Sequence, residues 1–117
     1  KALLPAEVQA GIRAVNKLTS AGNQSSIIVT TSDDLFFPSE VEVFGYTKYS
    51  FAGEGTQYDY YKAGNSKVKN LSGSASWWWD RSPYSNDSAR FCAVISSGDS
   101  AWGSASTSGG VPFSFCF

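Results

Sequence analysis

Three consecutive tryptophans, Trp77-Trp78-Trp79, constrain this chain more than any other feature. From that point helical periodicity disappears. Short apolar pieces at 77–79, 91–95 and 111–117 are separated by Ser, Gly, Asn and Asp, the texture of strands joined by loops. Neighbouring strand residues point to opposite faces, so the three indoles cannot all line one site, and at least two are expected in the core. Four Trp, six Tyr and eight Phe give a chain of 117 residues the aromatic surface to build that core. The length fits one domain, spanning 1–117.

The first half reads differently. Leu4, Val8, Ile12 and Val15 recur at helical spacing, and Pro5 suits a first turn. Gly11 is a candidate stop, leaving residues 12–19 extended. Residues 20–26 read as a polar loop, and Ile27-Ile28-Val29-Thr30-Thr31 as a strand. The segment from Pro38 to Gly45 carries a full helix signature. Ser39 is the N-cap, Glu42 completes a capping box, and Gly45 is the left-handed stop. Tyr58 and Tyr61 share a face at three-residue spacing, and Gly64-Asn65 ends that piece. Phe113, Phe115 and Phe117 alternate as a half-buried terminal strand would. The expected class is α+β. Short helices occupy the N-terminal half, and a small, mostly antiparallel sheet with long loops occupies the C-terminal half.

Absences narrow the function. Without histidine there is no Ser-His-Asp or Cys-His catalysis, no His-ligated zinc and no imidazole switch. Nine Lys and Arg, spread out against ten Asp and Glu, argue against nucleic acid as a partner. No apolar run approaches the roughly 18 residues of a membrane span. Without methionine, Lys1 reads as a processed or internal start, with an N-terminal portion of the domain expected to be missing. Cys92 and Cys116 read as reduced thiols buried in neighbouring strands. The alternative is a disulfide closing a loop of about 25 residues, worth roughly 3–4 kcal/mol. Asp33, Asp34, Glu40, Glu42 and Glu54 offer oxygens for calcium without EF-hand spacing; capping and solvation explain Glu40 and Glu42 better. No catalytic residue, metal site or cofactor is expected.

The ordered motifs carry a resemblance. They are Pro38-Ser39-Glu40 with Gly45, the piece from Glu54 to Tyr58, Trp78-Trp79-Asp80-Arg81-Ser82-Pro83, Phe91-Cys92 with Gly98, and Gly110-Val111 before Phe115-Cys116. Together they resemble a family of domains of unknown function from gut-type Firmicutes and their phages, marked by Trp-Trp-Leu-Arg-Ser-Pro. This chain has Asp80 where that signature has Leu, and a carboxylate there would need pairing if buried. Pro112-Phe113-Ser114 also departs from the commoner order near the terminus. The resemblance implies a C-type-lectin-like fold, grouped with diversity-generating retroelement variable proteins and formylglycine-generating enzymes. In that reading Trp78, Trp79, Arg81, Ser82 and Pro83 are scaffold, and Arg81 ties loops together.

The function expected from this reading is non-enzymatic binding or display on a phage virion, as a tail fibre or receptor-binding part, or on a bacterial cell surface. The partner would be a host-surface protein or glycan, with other virion subunits in a homo-oligomer; the alternative is a structural or decoration subunit. Two polar stretches, 84–90 and 99–108, mix Ser, Tyr, Asn, Asp and Gly as paratopes do, and as ordinary loops do. The candidate ligand-binding residues are Tyr84, Asn86, Asp87, Arg90, Asp99, Trp102 and Ser104. Trp102, alone in a polar stretch, is the expected anchor.

Overall fold

The computed structural model describes residues 4–112, 114 and 116. Helix α1 (Ala6–Gly11) follows Pro5 and ends where Ile12 turns extended, as the Gly11 stop suggested. Strands β1 (Val15–Gly22) and β2 (Ser25–Asp33) form an antiparallel two-stranded sheet. The polar loop expected at 20–26 is instead the end of this hairpin. Only Asn23 and Gln24 lie outside the strands, and both take positive φ (51° and 61°), as a two-residue turn matching strand twist requires. Gln is an unusual residue for that conformation, so the sequence gives little sign of the turn.

Helix α2 (Glu40–Phe44) forms where its caps place it. Ser39 Oγ accepts from Glu42 N–H at 3.2 Å, and Glu42 Oε1 accepts from Ser39 N–H at 2.9 Å. Gly45 closes the helix at φ 78°, where any other residue is strained, and a Cβ there, 2.7 Å from Gln57 Oε1, would also make that side chain shift. Helix α3 (Asp59–Lys62) is a single turn. The Ser/Gly-rich stretch after it pairs β3 (Lys69–Leu71) with β4 (Ser74–Ser76) around a Ser72-Gly73 turn.

The third sheet has the order β5-β6-β7, with both neighbouring pairs antiparallel: β5 (Trp78–Pro83), β6 (Arg90–Val94) and β7 (Ser100–Ser104). Thus Trp102 lies on a strand, opposite Cys92, and not in a loop. Gly103 of this strand, and Gly109 beyond it, have a packing reason. Trp77 and Trp79 meet edge to face at 4.7 Å, and a Cβ on Gly103 or Gly109 would come within 3.2 Å or 3.0 Å of their rings.

Alternation along β5 divides the molecule. Trp78, Asp80 and Ser82 are buried, while Trp79, Arg81 and Pro83 are partly exposed. Trp78 joins Val43 of α2, Tyr61 of α3 and Val94 of β6 in the core, with Phe44 and Tyr58 packed around them. Ser114 bridges to Phe36 and Cys116 to Arg13, drawing the two ends of the chain together. The expected alternation of Phe113, Phe115 and Phe117 lies outside the described residues.

Candidate functional site

Beside the apolar core, a buried polar framework fixes the loops. Arg81 is its centre. Its guanidinium donates to Thr19 Oγ1 (3.0 Å) and to the carbonyls of Phe37 (2.9 Å), Leu18 (2.9 Å) and Glu54 (3.0 Å). It also pairs with Glu42 Oε1. One side chain thereby joins β1, the approach to α2, the segment after it and β5. Lys17 Nζ completes the Glu42 site at 3.0 Å. Burial raises the Glu42 carboxyl, but hydrogen bonds from Arg81 and Ser39, the Arg81 charge and the Lys17 hydrogen bond prevail. The group is held below the usual carboxylate range.

Glu40 and Glu54 are also fully buried, so solvation does not account for Glu40 or Glu42. Glu40 accepts from Tyr49 N–H (3.0 Å), Ser50 N–H (3.1 Å), Ser50 Oγ (2.7 Å) and Ser100 Oγ (2.6 Å), linking α2 to residues 49–50 and β7. Glu54 Oε2 accepts from Ser20 N–H at 2.8 Å, and burial pushes its carboxyl up. Asp80 does not pair with Arg81, because adjacent strand residues face opposite sides of the sheet. Its two oxygens are buried without a hydrogen-bond partner among the described residues. Burial first, then Glu40 and Glu54, hold its carboxyl well above the usual range. Among the described residues, no group of three or more acids and cysteines has the geometry of a metal site.

The cysteines are both free: Cys92 is buried, while Cys116 is exposed rather than buried as expected. Burial and the nearby acids raise the Cys92 thiol, which keeps it protonated and a poor nucleophile.

Above this framework, five of the seven candidate residues converge. Tyr84 stacks on Trp102 (centroids 5.3 Å apart, planes 13° apart), and the Arg90 guanidinium lies 4.2 Å from the Trp102 ring centre. Asp87 holds Arg90 Nε at 3.2 Å and accepts from Ala89 N–H at 2.8 Å, which folds the loop between β5 and β6. Tyr84 N–H donates to Arg90 C=O at 3.0 Å, closing that loop, and Ser104 pairs with Arg90 across the strands. Tyr49, which sequence reasoning missed, extends the row: its ring meets Tyr84 edge-on at 5.9 Å, and Lys48 Nζ lies 5.2 Å from its centre. Ser85 N–H donates to Tyr49 C=O at 2.9 Å, so the backbone carries the same contact.

The result is a strip, Lys48–Tyr49–Tyr84–Trp102–Arg90, with Trp102 still 41% exposed. Ring stacking, the edge-on Tyr49 contact and the Arg90 guanidinium hold its rings against one another. Chemically it sets partly exposed aromatic rings beside cations and hydroxyls. Asn86 is exposed on the same loop. Asp99 stands apart: it lies in the turn between β6 and β7, held by Ser97 Oγ at 3.0 Å, at the far end of those strands from Arg90 and Ser104. On the opposite face of the sheet, Phe37, Trp79, Arg81, Phe91 and Ala105 line an open cavity of about 350 Å³.

Among the described residues, no helix is long and apolar enough to cross a membrane. No curated protein and no solved structure matches the chain. A family model described as a domain of unknown function (DUF6273) matches residues 2–117, and the chain belongs to that family.

Proposed function

We propose that this domain is a non-enzymatic recognition module whose contact surface is the Tyr49–Tyr84–Trp102–Arg90 strip. The observation that carries this reading is the stacking of Tyr84 on Trp102 under Arg90, while Trp102 keeps 41% of its surface exposed. A core residue would be covered, and an isolated surface tryptophan would be mobile. This one is partly exposed and fixed, as a binding anchor should be. The ligand class that suits it is a host-surface glycan or protein. A sugar ring can stack on aromatic surface while its hydroxyls meet Ser104, Asp87 and Arg90.

The finer fold assignment is part of the same proposal. A C-type-lectin-like arrangement is supported by short helices preceding a small antiparallel sheet, and by bridges that bring the chain ends together. Placement on a phage virion or bacterial surface rests on the motif resemblance. The test is binding of the wild type and a Tyr84→Ala, Trp102→Ala double variant to a glycan microarray and to intact bacterial cells. Loss of about 30-fold in affinity with the fold retained is the expected result. Undiminished binding by the double variant would overturn the assignment of the surface. A second reading, a structural subunit of a larger assembly, is favoured by the exposed Leu18, Ile27 and Val29 on the β1–β2 hairpin.

A further inference from the structure

The β1–β2 hairpin has one satisfied edge and one open edge. On β1, Ser20 N–H donates to Glu54 Oε2 and Leu18 C=O accepts from Arg81 Nη2, so Leu18 and Ser20 direct their backbone groups away from β2. In an antiparallel pair, residues alternate between facing the partner strand and facing away. Val15, Lys17 and Thr19 are therefore the residues bonded to β2, through Asp33, Thr31 and Val29 opposite them. It follows that Ile28, Thr30 and Ser32 point their N–H and C=O groups outwards. These groups have no backbone partner outside the hairpin among the described residues.

That edge has one of the usual defences, a register shift near the turn that sets Ser26 and Ile27 opposite Ala21, and lacks the others from Ile28 to Asp33. Residues 25–33 contain no Pro, Lys or Gly, and Asp33 is the single charge. Five of the nine are β-branched, which favours extended pairing (Ile27, Ile28, Val29, Thr30, Thr31). Ile27 is 67% exposed and Val29 41%.

We infer that β2 pairs edge to edge with β2 of a second copy of this chain, antiparallel about a two-fold axis at Val29. In that register the outward groups of Ile28 and Thr30 bond those of Thr30 and Ile28 of the second copy. Val29 faces Val29 of the second copy in a non-hydrogen-bonded position, where side chains approach most closely. Asp33 lies towards the uncharged Ser25–Ile27 end of the second copy, where the register shift falls, so no like charges are opposed, and the segment around Val29 is its own complement. A two-fold axis then closes the assembly as a dimer. The pairing leaves the Trp102 strip free and does not depend on what that strip binds.

Sedimentation of the full chain over a range of concentrations tests the pairing. Wild type is expected to show a monomer–dimer equilibrium, with amide exchange at Ile28, Thr30 and Ser32 slowing as concentration rises. Val29→Lys and Val29→Glu each place like charges at the axis and should weaken the dimer roughly tenfold, while their equimolar mixture should recover association. Ser32→Pro removes one outward N–H without touching the bonds to β1, and should also weaken it. Trp102→Ala should leave association unchanged. A wild type that stays monomeric, or charge variants that dimerise as well as wild type, would overturn the inference. Association rescued by an unrelated strand peptide but not by a second copy would do so too.

Discussion

At the scale of single residues, two neighbours in one strand do opposite things. Arg81 spends every guanidinium nitrogen on the loops and on Glu42, and its planar fork cannot be matched by an ammonium. Arg81→Lys is expected to cost about 3–5 kcal/mol in denaturant unfolding, because it leaves buried carbonyls and part of a buried carboxylate unpaired. Asp80 faces the other way and gains nothing in return for burial. Its raised folded-state carboxyl favours folding only at low pH. Stability falls as pH rises from the unfolded-state value towards the folded-state one. Glu42 has the opposite sign: its lowered group stabilises above the unfolded-state value and loses that contribution as pH falls. Asp80→Asn should therefore gain about 1–3 kcal/mol relative to wild type between pH 3 and pH 7. Unfolding curves at both pH values check this. An effect equal at both would mean that Asp80 does not titrate on unfolding.

At the scale of elements, legibility followed the range of the forces involved. The α2 capping box was readable because all its parts lie within seven residues, from Ser39 to Gly45. Ser39→Ala should cost about 1–2 kcal/mol by thermal unfolding, since Ser39 Oγ also donates to Glu54 C=O at 3.0 Å. Strand β7 was not readable. Ser, Ala and Gly lack strand propensity, and Gly103 stands there because Trp77 and Trp79 occupy the space where its Cβ would be. The burial of Glu40 was hidden for a related reason. Its partners lie 9, 10 and 60 residues away, and nothing local distinguishes it from a solvated helix-start carboxylate. Tyr49 joined the strip by the same kind of long-range contact.

For the whole molecule, the aromatic excess divides by sheet face and by position. Trp78 fills the core, Trp77 and Trp79 form a pair on the other face, and Trp102 lies between Tyr84 and Arg90 in the strip. Cys92 is buried, and Glu40 and Glu42 are engaged in holding loops. The α+β class and membership of a family of domains of unknown function were within reach of the sequence; the arrangement of the aromatic strip needed the fold. Hydroxyl-radical footprinting tests whether the Tyr49–Tyr84–Trp102 strip is the recognition surface. Side-chain oxidation of the domain would be compared with and without intact bacterial cells. The expected result is protection of Tyr49, Tyr84 and Trp102, with Trp79, Phe91 and Ile27 unchanged. Protection of Trp79 and Phe91, with Tyr84 and Trp102 still fully reactive, would place recognition on the opposite face and contradict the account.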